Sequence, residues 1–168
     1  GMFAFAAYER DSGRLLLARD RLGIKPLYVA RSEGRIAFAS TLPALLAAGG
    51  VDTGIDPVAL NHYMSFHAVV PAPRTILNGV RKLPPATLRT YGPDGSEESN
   101  TFWQLRVGTG EEDRDVNEDE WRERLLESLR GAVRRRMVSD VPVGVLLSGG
   151  VDSSLIVGLL AEQGQAGL

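Results

Sequence analysis

The stretch that most constrains this chain is a short apolar run followed at once by a glycine-rich loop. Val143-Gly144-Val145-Leu146-Leu147 leads into Ser148-Gly149-Gly150-Val151-Asp152-Ser153-Ser154, and Leu155 to Gln163 then reads as a helix. A continuous apolar run of that length is the pattern of a strand buried on both faces of a parallel sheet. Strand, glycine turn and helix together make a cradle for an anion. Gly149 and Gly150 let the backbone turn sharply and approach the anion without a side-chain clash. The free N–H groups of the helix start point at it, and the helix dipole favours it. Ser148, Ser153 and Ser154 add hydroxyl donors. Asp152 would repel a bare phosphate, so its fitting role is to hold Mg²⁺ that bridges to the phosphates. The plainer alternative is a strand-to-helix turn with Asp152 as a simple N-cap. Two other phosphate loops are excluded, because no Gly-Lys-Ser/Thr tripeptide and no Gly-x-Gly-x-x-Gly spacing occur.

Upstream, short strands alternate with turns. Phe3 to Tyr8 and Arg14 to Ala18 flank Glu9-Arg10-Asp11-Ser12-Gly13, and Leu27 to Ala30 and Arg35 to Ala39 flank Arg31-Ser32-Glu33-Gly34. Both read as β-hairpins. Leu42 to Ala48 predicts a short helix closed by Gly49. Asp56 as N-cap, with Pro57 at the first helical position, opens a second helix towards Phe66. Pro71 and Pro73 impose an extended loop, and Pro93-Asp94-Gly95 turns a last hairpin. Asp20 and Arg21 read as residues that fix a turn, and Tyr28 and Phe38 as core aromatics. His62 and His67, five apart, do not share a helical face and make no metal pair.

The composition changes at 106–120, where seven acids surround Arg114. This reads as a solvated linker and an acidic helix start. Asn117 with Glu120 three residues on has the form of a capping box. The helix then runs to about Val138, with Trp121, Leu125, Leu129, Val133 and Met137 recurring every four residues on one face. Arg134-Arg135-Arg136 falls in its last turns, where positive charge suits the dipole.

At 43% hydrophobic, the 168 residues can build a packed core, and a net charge of −2 gives no reason to expect a nucleic-acid partner. No apolar run approaches the roughly 20 residues that span a membrane. The chain has no cysteine, which excludes disulfides, thiolate metal sites and a cysteine nucleophile and fits a reducing compartment.

The loop Ser148 to Ser154 resembles the signature of the ATP pyrophosphatase group, and the longer stretch from Ser139-Asp140-Val141-Pro142 through Ser154 resembles asparagine synthetase in particular. The first half resembles the same family independently. Gly1-Met2-Phe3-Ala4-Phe5-Ala6 and Ala18-Arg19-Asp20-Arg21-Leu22-Gly23-Ile24-Lys25-Pro26-Leu27-Tyr28 are similar to the late part of its class II glutaminase domain. Val70-Pro71-Ala72-Pro73-Arg74-Thr75-Ile76 and Lys82-Leu83-Pro84-Pro85 are similar to the passage towards its synthetase domain, while Ser40-Thr41 departs from the usual Ser-Glu.

The resemblance implies a mixed architecture. The C-terminal part of an antiparallel α/β glutaminase sandwich would occupy 1–105, a linker and helix start 106–120, and the opening strand, loop and helix of a parallel-sheet ATP pyrophosphatase domain 121–168. It implies that ATP activates aspartate as β-aspartyl-AMP with release of pyrophosphate, and that ammonia from glutamine displaces AMP. Leu147 would then contact adenine or ribose. Ser148, Gly149, Gly150, Ser153 and Ser154 would hold pyrophosphate, and Asp152 would bind Mg²⁺. A cytoplasmic homodimer with small-molecule substrates and neither nucleic-acid nor membrane partners is implied as well. The family's N-terminal cysteine nucleophile and its glutamine-holding elements would precede Gly1, and the rest of the nucleotide and aspartate pockets would follow Leu168, leaving these residues inactive and poorly stable alone. His67-Ala68-Val69-Val70-Pro71-Ala72-Pro73-Arg74 also resembles relatives that amidate an N-acetylated glutaminyl-glutamine dipeptide.

Overall fold

A computed structural model describes residues 1–32, 34–108 and 110–164. Glu33 of the second hairpin turn, position 109 of the linker and the last four positions of the 121–168 span lie outside the described residues. The chain divides into two compact units, 1–106 and 107–168.

The first unit is built from two antiparallel sheets. Strands β1 (Ala4–Glu9) and β2 (Arg14–Arg19) form the first hairpin, closed by Gly13 at a φ of 68°. Strands β3 (Tyr28–Ser32) and β4 (Arg35–Ala39) form the second. Strand β5 (Val80–Lys82) pairs with the other side of β3, giving a three-stranded sheet in the order β4-β3-β5. Strands β6 (Thr87–Tyr91) and β7 (Glu97–Thr101) form the last hairpin around Pro93-Asp94-Gly95, and β6 pairs with β2 in a four-stranded sheet, β1-β2-β6-β7. Leu17 and Tyr91 of the larger sheet meet Val29 of the smaller one, with Leu27 and Leu83, in one buried cluster.

Helix α1 (Leu42–Ala47) packs against β3 and β4 through Leu45 and Leu42. Its N-cap is Thr41, whose hydroxyl accepts from the Ala44 N–H at 3.4 Å, so the residue that departs from the family pattern has a structural duty here. Helix α2 (Pro57–Ser65) starts at Asp56, whose carboxylate accepts from the Val58 and Ala59 amides and pairs with Arg74. His67 lies beyond this helix, and no His/Asp/Glu group able to hold a metal occurs among the described residues. Tyr28 packs beside the buried cluster of Ala30, Leu45 and Val80, but Phe38 is 41% exposed. It is therefore not a core aromatic: the alanines Ala37 and Ala39 supply the face of β4 that meets α1.

In the second unit, helix α3 (Glu118–Arg136) begins at Asn117, whose side chain accepts from the Glu120 N–H at 2.9 Å. Only that half of the predicted capping box is seen. The Glu120 carboxylate instead takes Arg124 one turn on, at 2.8 Å. Helix α4 (Val151–Glu162) packs on α3 through Val133, Leu159 and Leu160, with Leu129, Met137, Val145 and Ile156 around them. Trp121 and Leu125 stay 42% and 58% exposed, so the predicted single face is only half used. Four residues advance about 40° beyond a whole turn, and a stripe at that spacing winds away from its partner.

Candidate functional site

The glycine loop joins a segment without strand pairing to α4. Residues 143–147 were expected as a buried parallel strand, but they form no strand, and Leu146 and Leu147 are 95% and 60% exposed. A strand exists only through its ladder, and no described strand runs beside this segment. Val145 alone reaches the cluster between the helices.

The turn itself has the conformation the glycines allow. Gly149 takes a φ of 81°, a left-handed value costly for other residues. Gly150, not Asp152, is the N-cap of α4, and no side chain caps the helix start. The first amide to close back is that of Ser154, onto the Gly150 carbonyl at 3.1 Å. The amides of residues 151–153 thus lie ahead of the first helical bond, at the positive end of the dipole. Asp152 sits in the first turn with an exposed side chain.

The serines fold inward on the turn. Ser153 and Ser154 donate to the Gly150 carbonyl at 3.1 and 2.8 Å, and the Ser148 and Ser153 hydroxyls lie 3.1 Å apart. The Gly150 amide donates weakly to the Ser148 hydroxyl at 3.4 Å. The loop therefore brings Ser148, Gly149, Gly150, Ser153 and Ser154 together, with Asp152 on the adjoining turn and Leu147 at its entrance. This fits an anion in one respect: the uncapped backbone amides are ready to donate. The two serine hydroxyls must leave Gly150 before they can do the same.

The other polar constellation lies in the first unit and is structural. Asp20 is buried, and its carboxylate accepts four backbone amides, from Leu22 and Ile24 on one oxygen and Phe3 and Lys25 on the other, at 3.0–3.2 Å. Burial alone would push this carboxyl up. The amide donors from Lys25, Ile24, Phe3 and Leu22 outweigh it and hold the group below the ordinary carboxylate range. Asp20 thus fixes the turn as expected, whereas Arg21 does not; its guanidinium lies over the Trp103 ring, 5.8 Å from the centroid.

Sequence reasoning missed Arg19. It is buried, and its guanidinium donates to the carbonyls of Lys25, Leu83 and Gly23 at 2.8, 2.5 and 2.6 Å. Burial lowers its pKa, against the opposing charge of Asp20. An arginine ending an apolar strand immediately before a turn was the available signal.

Two antiparallel sheets with flanking helices, joined to a glycine-loop unit, are the setting in which the comparisons fall. Residues 1–103 match the family model of the glutamine amidotransferase domain, and the chain belongs to that family. Residues 124–168, which contain the glycine loop, match the asparagine synthase model. Over 162 residues the chain is 39% identical to the glutamine-hydrolysing asparagine synthetase 1 of Bacillus subtilis, covering 96% of this chain and 25% of that protein. It is 35% identical to a putative asparagine synthetase of Mycobacterium bovis, covering 95% of this chain and 25% of that protein. It is 32% identical to amidase chry2 of Gibberella zeae, covering 96% of this chain and 23% of that protein. The chain thus spans about a quarter of the length of the curated relatives it matches.

Proposed function

We propose that these residues serve a glutamine-dependent, ATP-consuming amide-forming ligase of the asparagine synthetase type. In this reading the first unit belongs to the half that releases ammonia from glutamine. The second opens the half that activates aspartate as β-aspartyl-AMP, with loss of pyrophosphate, before ammonia displaces AMP to give asparagine. Residues 143–147 then join a parallel sheet of the ATP pyrophosphatase kind when further strands are beside them. The observation that carries the reading is the uncapped start of α4 behind Gly149 and Gly150, within the segment that matches asparagine synthase.

The loop's chemistry is binding and positioning. Amides at the start of α4, with Ser148, Ser153 and Ser154 turned outward, hold the pyrophosphate portion of ATP, and Leu147 lies against its adenine or ribose. Asp152 would hold Mg²⁺, which supplies charge neutralisation at the phosphates. A carboxylate acceptor other than aspartate is the second reading, favoured by the resemblance of His67 to Arg74 to relatives that amidate an N-acetylated glutaminyl-glutamine dipeptide.

Titration of the 168-residue chain with MgATP and with inorganic pyrophosphate, followed by calorimetry, tests the loop. Saturable binding that weakens about five- to thirtyfold in Gly149→Ala is expected, because the left-handed conformation costs an alanine on the order of 1–2 kcal/mol. Absence of binding to a form of the protein in which residues 143–147 are paired into a sheet would overturn the assignment. Without a cysteine the same 168 residues release no glutamate from glutamine by a thiolate route, and glutamate formation in a coupled assay would contradict that.

A further inference from the structure

Among the described residues three arginines lie over aromatic rings, and one of them differs from the others. Arg31 lies over Tyr91 and also pairs with Glu97, and Arg124 lies over Trp121 and also pairs with Asp113 and Glu120. Arg21 lies over Trp103, 5.8 Å from the ring centroid, and among the described residues no carboxylate is bonded to it. A guanidinium held against an indole without a counter-charge presents an unused planar fork of donors.

That fork borders a surface groove of about 510 Å³, lined by Arg21, Leu22, Pro85, Trp103, Gln104 and Leu105 among others. The volume is in the range of about 300–1,000 Å³ usual for small-molecule sites. Leu22 and Leu105 are 62% and 67% exposed, so two of its walls are apolar surface facing water. The groove is also preformed. Ala86 ties its segments together, donating its N–H to the Asp20 carbonyl and accepting from the Phe102 N–H, both at 2.9 Å. Asp20 in turn fixes the 22–25 turn through its four amides.

We propose that the Arg21–Trp103 groove of the first unit is a binding site for a small carboxylate with an apolar body. The carboxylate takes the guanidinium fork in a two-pronged charge-assisted pair, and the apolar portion lies against Leu22, Pro85 and Leu105. The cation–π contact holds the guanidinium in place beforehand, which reduces the ordering cost of binding. The planar fork of Arg21 beside apolar walls matches the two oxygens of a carboxylate on an apolar body. The site is independent of the nucleotide loop and of the reading built on it.

The test is an amide and indole N–H NMR titration of the 168-residue chain with benzoate, with benzamide and acetate as controls. Benzoate should shift Leu22, Gln104, Leu105 and the Trp103 indole together at millimolar concentration. Benzamide, lacking the charge, and acetate, lacking the apolar body, should each bind at least about tenfold more weakly. Arg21→Gln should weaken benzoate by about tenfold or more, and Arg21→Lys by less, because an ammonium keeps the charge and loses the fork. The Arg21 side chain is exposed, so these variants should keep the parent's spectral dispersion. Leu105→Ser, in the exposed wall, is a second route to the same loss. No benzoate shifts in this groove, equal binding of benzamide, or undiminished binding by Arg21→Gln would each overturn the proposal.

Discussion

Replacing Asp20 by asparagine exchanges one carboxylate oxygen for an NH₂ group and changes little volume. The carboxylate takes two amides on each oxygen, Leu22 with Ile24 and Phe3 with Lys25. Asparagine can keep one pair with its carbonyl oxygen, while its NH₂ group faces the other two donors with nothing to accept them. Leaving a buried donor unsatisfied costs about 1–3 kcal/mol, so two of them amount to about 2–6 kcal/mol. A domain of this size has about 5–15 kcal/mol in all. At about 4–8 °C per kcal/mol, the first unit should melt at least about 8 °C lower. Circular dichroism of thermal unfolding gives the shift, and hydrogen exchange shows which amide pair was released. The same cage sets an acid limit. The folded pKa of Asp20 lies below the unfolded value of about 3.9, so its stabilisation is complete above that value and is lost as pH falls through the folded pKa. Melting temperature should therefore fall below about pH 4 in the parent and less steeply in Asp20→Asn. An Asp20→Asn protein that melts within about 2 °C of the parent at neutral pH, with unchanged exchange at all four amides, would refute this account of the turn.

Two further perturbations separate the buried groups from the exposed ones. Arg19→Met leaves the carbonyls of Lys25, Leu83 and Gly23 without their donor and should cost about 2–4 kcal/mol in urea unfolding, with Arg19→Lys intermediate. Leu159→Ala in the α3–α4 contact should cost about 2–5 kcal/mol, whereas Leu125→Ala, on the exposed part of the same helix pattern, should stay within about 0.5 kcal/mol. Equal effects of the two leucine substitutions on unfolding of the second unit would contradict the packing described.

The hairpins were legible because their turn residues and apolar runs are local: Gly13 and Gly34 both take the left-handed φ their positions demand. Helix starts at Thr41, Asp56 and Asn117 follow the same logic, although Thr41 was noticed only as a departure from a pattern. What escaped depends on distant partners. Arg19 reaches a carbonyl 64 residues away, a pairing no short window contains. Phe38 was assigned inward by its aromatic character, yet the helix above β4 meets alanines. The 143–147 run carries the pattern of a buried strand but cannot supply the neighbours that make one. At the candidate loop, the glycine turn was readable from composition, while the serine hydroxyls' preference for the Gly150 carbonyl was not.

Strand β1 ends the larger sheet, and its Ala-Phe-Ala-Ala-Tyr-Glu sequence is exposed from Phe5 onward. Its inner edge is occupied by β2, and its outer edge has no strand beside it among the described residues. Backbone groups on that side, unpaired by any described strand, match an extended chain regardless of its side chains. No lysine, proline or bulge interrupts the edge to discourage such pairing. A strand laid along β1, from whatever source, would therefore extend the larger sheet through main-chain hydrogen bonds and read none of its own side chains in doing so.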